Sequence, residues 1–157
     1  AMERWSQWQD LLDHLMRSAT PPLTAAEQLA YRTAAYPGLV LDPQPPLAAQ
    51  WIMEHVEDPD VQRAAKTALS RWQSALAAHH AREIEDIRTA RLKYGFDPWS
   101  PGCGTPTSSA AITLRNKLLA TSAKTTLLAR EAMSRLESVL SKKDRTALRE
   151  YLDHAPE

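Results

Sequence analysis

Tyr94-Gly-Phe-Asp-Pro-Trp-Ser-Pro-Gly-Cys-Gly-Thr-Pro-Thr-Ser-Ser109 decides how the chain is organised. The stretch holds three of the four glycines, three of the eleven prolines, the only phenylalanine and the only cysteine, so it cannot be helical. It is longer than an ordinary helix-to-helix connection of roughly 2 to 8 residues, which marks it as a loop worth testing for function.

Upstream of it, Asp58-Pro59 is a strong helix start: a carboxylate to cap the first amides, then a proline whose missing N–H costs nothing at the first helical position. No Gly or Pro follows until Gly95. Val61, Ala65, Leu69, Trp72, Leu76, His80, Ile84 and Ile87 keep spacings of three and four, predicting one helix of about 34 residues and roughly 50 Å. Downstream, Thr107 or Ser108 can cap a second long helix to about Leu140. Its apolar positions Leu114, Leu118, Leu128, Ala132, Leu136 and Val139 share a face with Thr121 and Thr125, and Ile112, Leu119, Leu127 and Met133 are expected to broaden it.

Shorter segments surround this pair. Trp5, Trp8, Leu12 and Leu15 recur at helical spacing with Glu3, Gln9, Asp10 and Asp13 between them, so a first amphipathic helix with its tryptophans in the core is expected. Thr24-Ala-Ala-Glu27 reads as a capping box opening a second helix to about Tyr36. A proline-rich connector, Asp42 to Pro46, launches a third from Leu47 to about Glu57. Ser141-Lys-Lys-Asp144 opens a short final helix through Leu148 and Leu152. No period-two alternation is long enough for a strand. The reading is therefore all-α: a helical bundle built on a long antiparallel helix hairpin (about 60–92 and 108–140), with shorter N-terminal helices and a short C-terminal helix, in a single helical domain spanning 1–157.

Net charge is zero over 157 residues, but the first sixty residues carry three arginines against nine acids, a formal −6, and the remainder carries +6. Acidic N-terminal helices lying against a basic hairpin would account for this layout. A lone cysteine excludes an intrachain disulfide and fits a reducing compartment, so a cytoplasmic location is expected. No apolar run is long enough for a membrane span, and no membrane partner is expected.

Candidate chemistry is sparse. His79, His80 and Glu83, with Asp86, are the one group on a helix with metal-ligand character. A carboxylate-bridged di-metal bundle needs Glu-x-x-His motifs that this chain lacks, so no metal and no cofactor are expected. Cys103 sits before a helix start, where a thiol pKa falls, but no histidine is placed near it as a base. Gly102 to Ser109 superficially resembles a phosphate cradle without its lysine or a preceding strand.

The segment Pro98 to Arg130 contains no acid, and Arg115, Lys117 and Lys124 lie there among threonines and serines, with Arg88 and Arg91 near the loop end of the preceding helix. Such a face suits an acidic protein partner or phosphates. Phe96 and Trp99 either plug the open end of the bundle or anchor a partner. The expectation is a non-enzymatic helical interaction module, accessory or regulatory, binding a protein partner or self-associating. Two alternatives stand beside it: nucleic-acid binding through the basic helix 110–130, and a ligand or metal site in the bundle interior.

Overall fold

The computed structural model describes residues 2–99 and 104–155, with side chains from residue 7 onward. Six α-helices account for most of the described residues: α1 (Met2–Ser18), α2 (Ala25–Ala35), α3 (Gln44–His55), α4 (Pro59–Tyr94), α5 (Ser109–Ser138) and α6 (Lys142–His154). The fold is the expected all-α bundle on a long hairpin.

The helix ends follow local chemistry. Asp58 Oδ1 accepts from the Asp60 amide at 2.9 Å, with Pro59 next to it in the first turn of α4. The other end closes at Gly95, whose φ of 67° is the left-handed conformation that glycine adopts without strain, and the Phe96 amide donates back to the Ala90 carbonyl at 3.1 Å. Gly104 is also left-handed, and a Cβ there would stand 2.2 Å from the Gly95 carbonyl oxygen, so the two ends of the loop meet at a pair of glycines. Ser108 Oγ accepts from the Ala111 amide to start α5, and Thr24 and Glu27 form the expected capping box at α2. Helix α3 begins three residues before the expected Leu47. Asp42 Oδ1 accepts from the Gln44 amide, and prolines 45 and 46 fit a first turn because its amides have no intrahelical partner.

Helices α4 and α5 run antiparallel along most of their length. Small residues on the facing sides, Ala65, Ala68, Ala77 and Ala90 on α4 and Ala111, Ala129 and Ala132 on α5, are all buried and let the helices approach closely. Helices α3 and α6 close one end, where Trp51, Ile52 and Leu148 pack with Ala65, Ala68, Leu136 and Leu140. Helix α2 covers the middle of α4 through Leu29, Trp72 and Leu76.

Helix α1 departs in part from the expectation for its faces. Leu12 packs inward against Ala35, Tyr36, Leu39 and Ile84 as expected, but Gln9 and Asp13 are buried beside it while Trp8, Leu11 and Leu15 stand about half exposed; the side chain of Trp5 lies outside the described residues. The reason lies in what α1 meets. Gln9 Nε2 donates to the Ala35 carbonyl at the end of α2, where helical carbonyls lack partners. Gln9 Oε1 accepts from Arg91 Nη1 at 2.8 Å, and Asp13 pairs with Arg88 at 2.8 Å. The surface under α1 offers an open carbonyl and two arginines, so Gln9 and Asp13 dock together with Leu12.

Candidate functional site

Within α5 the acid-free segment, residues 109–130, lies along α4. Ala111, Leu118, Thr125, Ala129, Ala132 and Leu136 face inward at helical spacing, which turns the opposite side of α5 to solvent. That side carries Ile112, Leu119 and Leu127, which do not broaden the buried face as expected but are exposed by 43%, 59% and 43%, because they lie on the arc of α5 turned away from α4. Only α3 and α4 pack extensively on α5, and neither covers this stripe. Arg115, Lys124 and Arg130 are exposed beside it and form no salt bridge among the described residues. Lys117, on the flank nearer α4, pairs with Asp86 across the hairpin.

Arg88 and Arg91 do not extend this basic face. Arg88 is held between Asp10, Asp13 and Glu85, and Arg91 pairs with Asp97 at 2.8 Å. These contacts join the acidic α1 to the basic hairpin, which is the charge layout expected from the sequence. Phe96 is likewise no exposed anchor. It is 3% exposed and packs with Ile87, Ala90, Ala111 and Leu118, closing the hairpin at its loop end. Trp99 is intermediate. Its ring meets Tyr36 edge-on at 6.5 Å and lies directly on Gly38, where a Cβ would come within 2.1 Å of the indole. Cys103, Gly102 and Pro101 lie outside the described residues.

Behind the α5 stripe lies a cleft of about 190 Å³. Gly38 and Val40 form one wall, Pro98 and Trp99 another, and α5 contributes Leu118, Leu119, Ser122 and Thr125. From α4 comes Glu83, a residue only 8% exposed. Burial, reinforced by neighbouring Asp86, pushes the Glu83 carboxyl up to about 7, because removing the charged form from water is unfavourable and no cation offsets it.

One turn away, His80 is fully buried. Its Nε2 lies 3.0 Å from the Val40 carbonyl oxygen, which can only accept, so this nitrogen carries the hydrogen and donates. Burial drives the imidazole pKa down to about 4, leaving it neutral at ordinary pH. His79 points its own buried Nε2 to no partner, and burial lowers its pKa as well. The ring centroids of the two histidines are 6.3 Å apart. Among the described residues no group of three or more His, Cys, Asp or Glu converges for a metal ion, and His80 commits one nitrogen to holding the α2–α3 connector against α4.

Sequence reasoning placed Glu83 and Thr125 on their helices without bringing them together. The available signal was Thr125, a hydroxyl on the face otherwise occupied by Leu118, Leu128 and Leu136. Trp99 and Gly38 left no such trace, since nothing local ties a loop tryptophan to a glycine 61 positions earlier. No family model matches the chain, and neither a curated protein nor a solved structure matches it.

Proposed function

We propose that the protein is a non-enzymatic interaction module whose α5 outer face receives a protein partner, an acidic amphipathic helix. The observation that carries this reading is the coincidence, on one uncovered helix face, of the stripe Ile112, Leu119 and Leu127 with the unpaired cations Arg115, Lys124 and Arg130. An apolar stripe without flanking acids is complementary to a helix with leucines at i, i+3, i+4 and i+7 and glutamates beside them. Electrostatic complementarity of this kind steers encounter and sets register, while the apolar stripe supplies most of the affinity. The sequence asymmetry leaves these cations free because the acids of α1 are matched to Arg88 on the other side of the bundle. A lone cysteine fits a reducing compartment for such a module.

A designed acidic amphipathic peptide, its lysine-for-glutamate counterpart, and single- and double-stranded oligonucleotides, each fluorescently labelled, provide the test. The acidic peptide is expected to bind, to weaken with salt, and to be lost with Leu119→Asp. The double variant Arg115→Glu, Lys124→Glu should cost about tenfold in affinity for it. Binding of oligonucleotides in preference to the peptide would transfer the surface to nucleic acid, and silence from every probe at low salt would remove the interaction reading.

A further inference from the structure

Glu83 occupies a position that packing alone does not explain. A buried side chain at that turn of α4 would stabilise the bundle more as Leu or Ala, because an isolated carboxyl out of water is unfavourable unless paired. Glu83 has no cationic neighbour that acts on it: Lys117 sits on Asp86, Arg88 on the acids of α1, and Arg32 on the Ala77 carbonyl. Its one charged neighbour of consequence is another acid, Asp86. The carboxyl also opens into space instead of against hydrocarbon, since it lines the cleft of about 190 Å³.

The remaining walls define what would complete that space. Trp99 supplies an aromatic ring, Leu118 and Val40 supply apolar surface, and Thr125 and Ser122 bring hydroxyl-bearing side chains. Cations are attracted to indole rings as well as to carboxylates, so ring and acid favour the same ligand charge. An anion would face Glu83 with no cationic side chain among the residues that line the cleft. A cavity of about 150 Å³ is known to accept one benzene molecule, so the scale here suits a ligand of about seven to nine heavy atoms.

We propose that this cleft is a binding site for a small organic cation, an amine attached to an apolar group, with Glu83 as its counterion and Trp99 as its aromatic wall. Burial holds the Glu83 carboxyl up at about 7 because the charged form lacks both water and a countercharge, and a bound cation would supply the latter. Four segments build the site: the α2–α3 connector, α4, the start of the α4–α5 loop and α5. The small residue Gly38 is what lets the Trp99 ring reach its place.

Benzylamine, with benzyl alcohol as its neutral isostere, tests the site when the indole N–H resonances of the full chain are followed by NMR and Trp99 is assigned with Trp99→Phe. The expected result is a saturable shift of the Trp99 signal by benzylamine, with benzyl alcohol at least about tenfold weaker. Glu83→Gln keeps the side-chain shape and should bring the two probes to parity. Ser122→Trp, a substitution at an exposed position on the cleft wall, should abolish both without loss of helical content, which keeps the test decisive even if the Glu83 variant folds poorly. Equal binding of amine and alcohol to the unaltered protein, an amine preference surviving in Glu83→Gln, or no saturation at millimolar amine would overturn the proposal.

Discussion

The two ends of the α4–α5 hairpin are built from different materials. At the end closed by α3 and α6 the buried residues are apolar: Ile52, Ala65, Leu136 and Leu148 are almost completely removed from water, with Arg145 reaching in to the Leu140 carbonyl at the edge. From the middle toward the loop, the interior also contains Gln9, Asp13, His80, Glu83 and Thr125, together with the cleft. The first region maximises stability per residue, because apolar burial carries no desolvation cost. In the second, polar groups are buried at a cost in stability, which is the usual mark of a place kept for something other than folding. Helix α5 runs through both, with its outer stripe uncovered along the polar half.

Four experiments would break or sharpen this contrast. The largest effect is expected at the closed end, where Leu136→Ala removes a fully buried side chain from a rigid contact and should destabilise by about 2 to 5 kcal/mol, read from chemical denaturation. A loss well under this range would mean that the closed end is as loosely packed as the cleft.

Next comes the pH response of the polar region. From pH 4.5 to about 7 the folded protein keeps a proton on Glu83 that the unfolded chain releases, so rising pH costs stability at about 1.4 kcal/mol per unit. His80 acts in the opposite sense between about 4 and 6.5, where the unfolded chain takes up a proton that the folded protein excludes, so rising pH adds stability. His79, whose pKa burial also lowers, acts in the same sense as His80, so the two histidines oppose Glu83 across the overlap and its loss of stability stands alone as pH approaches 7. Glu83→Gln removes one side. That variant should gain stability from about pH 4 to 6.5, stay flat above, and exceed the native protein at pH 8 by up to about 3 kcal/mol. Parallel pH profiles for the two proteins would show that Glu83 is solvated in both states.

A smaller loss, about 2 kcal/mol, is expected for Arg88→Ala, which leaves the buried Asp13 without its partner; because Arg88 is itself partly exposed, the effect falls below that of a fully buried pair. Thermal melts at neutral pH would show it, and Asp13→Asn combined with Arg88→Ala should recover part of it. The smallest effect belongs to the outer face of α1. Trp8→Ser and Leu15→Ser should change stability by no more than about 0.5 kcal/mol, whereas Gln9→Ala should cost more than either. The opposite order would mean that α1 docks by its apolar side in solution.

Much of the architecture was legible because its signals are local. Asp58-Pro59, Thr24 with Glu27, Ser108 and Gly95 each act within a single turn, so their roles follow from the residues themselves. The hairpin and the placement of Arg115 and Lys124 on its outer side follow from periodicity. What was not legible was which face of α1 would dock. Amphipathicity separates two faces of a helix, but the neighbour decides which one is buried, and here the neighbour presents Ala35, Arg88 and Arg91. The same limit hid the fate of the loop aromatics: Phe96 is swallowed by the hairpin that precedes and follows it, while Trp99 is carried across to Gly38 and Tyr36.

The amino-acid sequence by itself therefore determined the six helices, most of their ends, the long hairpin and the separation of acidic from basic segments. Only the tertiary structure decided that α1 docks with Gln9 and Asp13 inward, that Arg88 and Arg91 are neutralised by acids, and that Glu83 shares a cleft with Trp99 and Thr125. The physical reason is range. Capping, turn formation and helical periodicity act over a few residues, whereas burial and the pairing of charges depend on groups that only packing brings together.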